Sequence, residues 1–276
     1  MKRVKAHGFK KLKTTAFFVC FVLAVFVSFP GQAFARQDRE QDVKELLGFF
    51  DKIVFGREFD TGKQSFVIKK WQQPLRVVVR AFDEKIITEA DGNEIRSLRQ
   101  KPVPEKYARL VRKHLQSLTK ITKLKIENVK KSKKPANIVI NLVPELQLSN
   151  PALANVEPRL LAKMAGQGGC YFLSWSGAGN RQIVKSVIVV NKDRLIVKTD
   201  HCLLEELTQS LGLPNDINAP WPSIFNNTGR IKTLSWRDEV FLRTLYDPRL
   251  RVGMTRAEAL KLARKIIAEQ LVNAPR

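Results

Sequence analysis

Residues 201–216 read His201-Cys202-Leu203-Leu204-Glu205-Glu206-Leu207-Thr208-Gln209-Ser210-Leu211-Gly212-Leu213-Pro214-Asn215-Asp216. Leu203, Leu204, Leu207 and Leu211 recur at the spacing of one helical face, while Glu205, Glu206 and Gln209 fall on the other, so the stretch is an amphipathic helix. Gly212, with Pro214 behind it, ends that helix. Two polar side chains four residues apart, Glu205 and Gln209, therefore project together, with Glu206 beside them, just before a sharp glycine turn.

Working outward, apolar and β-branched runs predict strands over 65–71, 75–82, 124–129, 136–143, 170–175 and 184–191. Val43, Leu46, Leu47, Phe50 and Ile53 predict a helix over 42–54, and Pro104 opens another along Tyr107, Leu110, Val111, His114, Leu115 and Leu118. Ser235 with Asp238 starts a helix that reaches Tyr246, and a Thr255/Glu258 capping box starts a last one through Leu262, Ala263, Ile266, Ile267 and Leu271. No Gly/Ser-rich or Pro-rich linker and no internal repeat divides the chain. The expected fold is α/β (α+β): a single domain with a mixed sheet, packed helices and a helical C-terminal part.

The whole chain has 276 residues, 44% hydrophobic and 27% charged, with 14 Gly and 13 Pro, which excludes wholesale disorder and collagen-like classes. Residues 1–35 carry Lys2, Arg3, Lys5, Lys10, Lys11 and Lys13 without an acid, then an apolar run from Ala16 to Phe29, then Ala33-Phe34-Ala35. This is the pattern of a secretory leader cleaved after Ala35, and the run is too short for a spanning helix, which needs about 20 residues. Residues 36–276 are then the exported, periplasmic or secreted domain, with no transmembrane anchor after processing. Cys20 lies inside the apolar run behind Val19, which is not the place of a lipid-modified cysteine.

Processing removes six basic residues and no acid, so a formal charge of +23 becomes +17. Such a charge suits the anionic lipids and polysaccharides of a cell envelope as partners. Nucleic acid is not expected, because no aromatic residues are interleaved with the basic ones, and the densest run, Lys130, Lys131, Lys133 and Lys134, reads as a solvated turn. Cys170 and Cys202 remain, an even count in an oxidising compartment, and predict one disulfide.

The helix has the geometry that zinc peptidases use. In H-E-x-x-H two histidines at i and i+4 hold Zn²⁺ and the intervening Glu is the general base; a longer version adds a glycine turn and a third ligand. The segment resembles a metzincin helix with its histidines replaced. The resemblance places Glu205, Gln209 and Asn215 at the ligand positions, Glu206 at the base position and Gly212 at the turn, with Met254 where a Met-turn would lie. Glu can ligate zinc, but neutral Gln and Asn are poor substitutes for imidazole. A rearranged set of His201, Glu205 and Asp216 can also be drawn, with Cys202 constraining His201 if it is bridged. In the plainest reading Glu205 and Glu206 satisfy backbone donors and basic neighbours, and Gln209 makes a hydrogen bond. No cofactor is expected; zinc is the alternative, and a peptide is the ligand that a retained cleft would hold.

A second resemblance covers more of the chain. Residues 205–216, then Pro222-Ser223-Ile224-Phe225-Asn226, then Leu245-Tyr246-Asp247-Pro248-Arg249-Leu250 to Gly253-Met254, with Lys70-Trp71 through Val79 upstream, resemble a proteobacterial domain-of-unknown-function family of exported proteins, several described as lipoproteins. The likeness spans about 45–255, leaves a C-terminal helix at about 256–271, and implies no activity. With Glu and Gln where a zincin has His, the substituted helix reads as that of a non-catalytic binding protein, a pseudopeptidase. The alternatives are a metal-dependent hydrolase using Glu206 as base, or an electrostatic binder of anionic polymers.

Other chemistries fail on spacing. His114 lies in an apolar stripe, the glycines at 166–169, Gly177 and Gly179 are not a phosphate loop, and Ser174-Trp175-Ser176-Gly177 is not G-x-S-x-G. Glu205 and Glu206 diverge by about 100° on a helix, so they do not face each other as a glycosidase pair does. The leader makes one direct prediction: the protein recovered from the envelope or medium begins at Arg36, checked by intact mass and N-terminal sequencing.

Overall fold

Strand β3 (Ile138–Val143) is apolar except for the buried Asn141, and the sheet is built around it. A computed structural model describes residues 30–56, 66–166, 169–177, 179, 181–226 and 230–272. β3 lies between β1 (Val77–Thr88) and β5 (Ile183–Asn191), both parallel to it. Each edge is an antiparallel strand, β2 (Glu94–Lys101) beside β1 and β4 (Cys170–Ser176) beside β5, which gives the order β2-β1-β3-β5-β4. Central parallel strands must be covered on both faces, which is why Ile138–Ile140 and Val187–Val190 are unbroken apolar runs.

The two faces are covered unequally. Helices α1 (Pro30–Phe55), α2 (Glu105–Thr122), α5 (Ile196–Gln209), α6 (Trp236–Tyr246) and α7 (Arg256–Val272) contribute to the large core, where Phe50, Trp71, Ile140, Leu207 and Phe241 are fully or almost fully buried. The opposite face packs Val143, Tyr171 and Val189 against Leu161 and Met164 of the short helix α4 (Pro158–Gly166). The result is an open-sheet α/β domain, as the patterning predicts. Both capping boxes form: Ser235 with Asp238 at α6, and Thr255 with Glu258 at α7.

Three segments differ from the periodicity. Residues 66–71 run extended along 253–256 but are not a ladder strand; they make isolated pairs at Val67–Thr255 and Trp71–Ile183, with Ile68 N donating to Met254 O. Ser65 lies outside the described residues. The predicted strand 124–129 contributes only the Leu75–Ile126 bridge, because Asn128 caps a four-residue helix α3 (Val129–Ser132) that turns at Lys133 with φ 53°. The lysine run is thus a helical turn with its charges in solvent. β1 continues past Phe82 to Thr88 and pairs with β2, a hairpin hidden in the sequence by the charges at 83–85.

The leader predicted over 1–35 lies outside the described residues up to 29, and the backbone of α1 begins at Pro30. Among the described residues no helix is long and apolar enough to cross a membrane.

Gly212 ends α5 at φ +111°, and a Cβ there would stand 2.3 Å from the Lys69 carbonyl oxygen. Both the left-handed backbone and the close approach require glycine. Gly212→Ala is expected to cost about 3 kcal/mol or more, lowering Tm by roughly 10 °C, measured by thermal unfolding.

Candidate functional site

α5 starts past the carboxyl end of β5 and runs back across the sheet, burying Leu203, Leu204 and Leu207. Cys202 on this helix is bonded to Cys170 at the start of β4, with Cα atoms 6.0 Å apart. The predicted bridge is present, and it fixes the helix to the edge strand. Closing 32 residues of chain, it stabilises the fold by roughly 3–4 kcal/mol in the chain-entropy model.

The side chains singled out by sequence separate into three groups. Glu205 Oε2 lies 3.4 Å from His201 Nε2, one helical turn earlier, and His201 Nδ1 donates to Ile231 O at 2.8 Å. A carbonyl only accepts, so the proton on Nδ1 is fixed and the ring is oriented with Nε2 toward Glu205. Glu206 is 5% exposed, and the Glu205 and Glu206 carboxylates and the Cys170 sulfur lie within 4.8 Å of one another. That sulfur is half of a disulfide and is no thiolate ligand.

Gln209 turns the other way, its Nε2 donating to Asp216 Oδ1 at 2.6 Å. Burial pushes the Asp216 carboxyl up to about 6 despite this hydrogen bond. Asn215 lies further off in role: its Nδ2 and backbone N both donate to Ile53 O, at 2.8 and 3.2 Å, closing the last turn of α1. The His201, Glu205, Asp216 set is not assembled either, since Asp216 belongs to Gln209 and Glu205 to His201. Tested against zinc, the donor set does not fit: two amides turned to other partners, a sulfur in a disulfide, and one imidazole beside a carboxylate. Met254 uses its backbone on Ile68 and packs against the core.

Sequence reasoning missed the polar groups on the other side of the helix. Asp200 accepts from or shares a proton with His114 Nε2 at 2.6 Å, with Lys113 Nζ at 3.6 Å. Burial holds the His114 imidazole below its usual range and Asp200 opposes that shift. His114 therefore belongs to the core, as its position in an apolar stripe implies, but as half of a buried polar pair between α2 and α5. Lys70, pushed down to about 8 by burial, donates to Leu245 O at 2.7 Å and so caps the end of α6. Arg237 lies 4.5 Å from the ring centres of both Trp221 and Trp236; Trp236 is its neighbour in the chain, and folding brings Trp221 to the same guanidinium.

These features define an open-sheet α/β protein whose polar helix is bonded by a disulfide to an edge strand. A family model described as Protein of unknown function (DUF2927) matches residues 44–265, and the chain belongs to that family. No curated protein and no solved structure matches it.

Asp216 generates a pH prediction. A carboxyl raised from 3.8 to about 6 on folding makes the folded state bind more protons between those values, so this group's contribution to stability falls as pH rises through that window. Asp216→Asn keeps an acceptor for Gln209 and removes the ionisation. It is expected to raise stability at pH 7 by up to about 3 kcal/mol and to flatten the slope between pH 4 and 6, measured by urea denaturation across pH.

Proposed function

We propose that the protein is an exported envelope protein that binds an extended peptide segment without cleaving it, using a zincin-like helix whose ligand positions have become structural. The observation that carries this reading is the commitment of those positions to internal partners. Gln209 is held by Asp216, Asn215 by the end of α1, and Glu205 faces His201. No hydrolytic step is derived through a metal from such a set.

The binding side of the reading rests on β4. It is an edge strand in the sheet order, seven residues long, without proline or lysine, and bonded to α5 at its first residue. An edge without charged blockers is a template for strand addition, and main-chain hydrogen bonds supply affinity without demanding one side-chain sequence. The leader and the formal charge of +17 left after its removal agree with an envelope setting, where the attraction of anionic polymers would add a salt-dependent component.

The test uses the protein as the cell processes it. Metal per chain is measured by elemental mass spectrometry beside Glu205→Ala, and binding and turnover are measured on a library of extended peptides. The expected result is folded protein without stoichiometric zinc, none taken up on supply, and peptide affinity without cleavage. About one zinc per chain that is lost in Glu205→Ala, with cleavage lost in Glu206→Gln, would replace the proposal with a hydrolase. Affinity only for anionic polymers, abolished by salt, would replace it with an electrostatic binder.

A further inference from the structure

Exposed apolar side chains gather at one end of the sheet. Because β1, β3 and β5 are parallel, their carboxyl ends lie together, and β1 goes on alone after Ala81, paired only with β2. Residues 82–101 thus form a two-stranded arm, projecting roughly 20 Å beyond the sheet at about 3.3 Å per residue. On it Ile86, Ile87 and Ile95 are 49%, 40% and 45% exposed, Ile87 and Ile95 being directly opposite on one face. Next to its base, past the ends of β3 and β5, Leu146, Leu195, Ile196 and Val197 are 71%, 69%, 41% and 51% exposed. Among the described residues, most of the exposed large apolar side chains are at this end.

The arm and this shoulder are rigidly joined. Lys192 Nζ donates to Asp83 Oδ1 at 2.9 Å, Gln147 Nε2 to Glu84 Oε1 at 2.8 Å, and Glu145 N to Asp193 Oδ2 at 2.9 Å. The shoulder is not shaped for local stability. Leu195 occupies the N-cap of α5 without a side-chain cap, where Ser, Thr, Asp or Asn would gain about 1 kcal/mol, and the first turn has no acid.

Charge says what the end meets. The tip, residues 88–94, holds Glu89, Asp91 and Glu94 and no basic residue, in a chain of formal charge +23. An anionic membrane would repel that tip. The shoulder carries both signs, with Glu145 and Asp193 exposed on it, and its basic part, Arg194 and Lys198, lies beside the uncapped, positive end of α5. A second copy of this chain presents both surfaces at once. The basic edge of β2, with Arg96, Arg99 and Lys101, opposes edge-to-edge pairing, so the contact uses faces.

We propose that two copies associate by mutual arm exchange about a two-fold axis, Ile87 and Ile95 of each arm covering Leu195, Ile196 and Val197 of the other copy, and the acidic tip lying over Arg194 and Lys198. The contact is isologous, and it uses the first turn of α5, at the end of the sheet where Cys170 of β4 pairs with Val190 of β5.

Sedimentation velocity and light scattering on the purified protein test this. A dimer is expected, weakened at least about tenfold by Ile87→Glu or by Leu195→Glu, with unchanged circular dichroism and Tm because both side chains are already in solvent. Glu89→Lys/Glu94→Lys and Arg194→Glu/Lys198→Glu are each expected to weaken self-association, and an equimolar mixture of the two to restore a heterodimer. A protein that is monomeric at its highest soluble concentration overturns the proposal. So does a dimer indifferent to these substitutions, or a monomer that co-sediments with phosphatidylglycerol vesicles through Ile87 and Leu195.

Discussion

Helix α5 ends inside the protein, and a helix end brings carbonyl groups that the helix itself cannot satisfy. Trp71 Nε1 donates to Ser210 O at 2.9 Å and the Tyr246 hydroxyl donates to Leu211 O at 2.8 Å, while Gly212 brings the backbone against the Lys69 carbonyl. Three segments far apart in sequence, 66–71, 209–213 and 245–254, are thereby locked around one turn. Tyr246 is partly buried, burial raises the pKa of its hydroxyl so that it stays protonated, and Lys70 beside it caps α6. The path of α5 across the sheet, the docking of α6 and the extended run of 66–71 all depend on satisfying that buried turn.

The polar face of α5 follows from the same constraint. A helix pinned at its C-terminus by hydrogen bonds and near its middle by Cys202 has little freedom to present side chains to a ligand. Its buried polar groups have to find partners nearby, since an unpaired one costs about 1–3 kcal/mol. Gln209 finds Asp216, His201 finds Ile231 O and Glu205, and Asp200 finds His114. A spacing that resembles a metal-binding helix is here spent on internal pairing, while β4, bonded to the helix, stands at the edge of the sheet among the described residues.

The molecule is also unequal end to end. The buried pairing is concentrated around the middle and end of α5, whereas the carboxyl end of the sheet carries the projecting β1–β2 arm, the uncapped start of α5 and the exposed aliphatic residues.

Much of the architecture was legible because it is local. Leucines at helical spacing mark α5, capping pairs mark α6 and α7, and apolar runs mark β3 and β5, since burial on both faces leaves no polar alternation to confuse the reading. Even the disulfide followed from parity and compartment. Residues 66–71 were misread for a physical reason: an extended, apolar segment looks the same whether it pairs in a ladder or lies singly against a loop. The charged half of β1 was hidden because an arm in solvent needs no apolar face. By itself, then, the sequence determined the class of fold, the helix at its centre and the residues that could do chemistry there. Only the tertiary structure decided what those residues touch, because Gln209–Asp216, Asn215–Ile53, Asp200–His114 and Trp221–Arg237 are set by which backbone arrives beside each side chain, and local spacing carries no record of that.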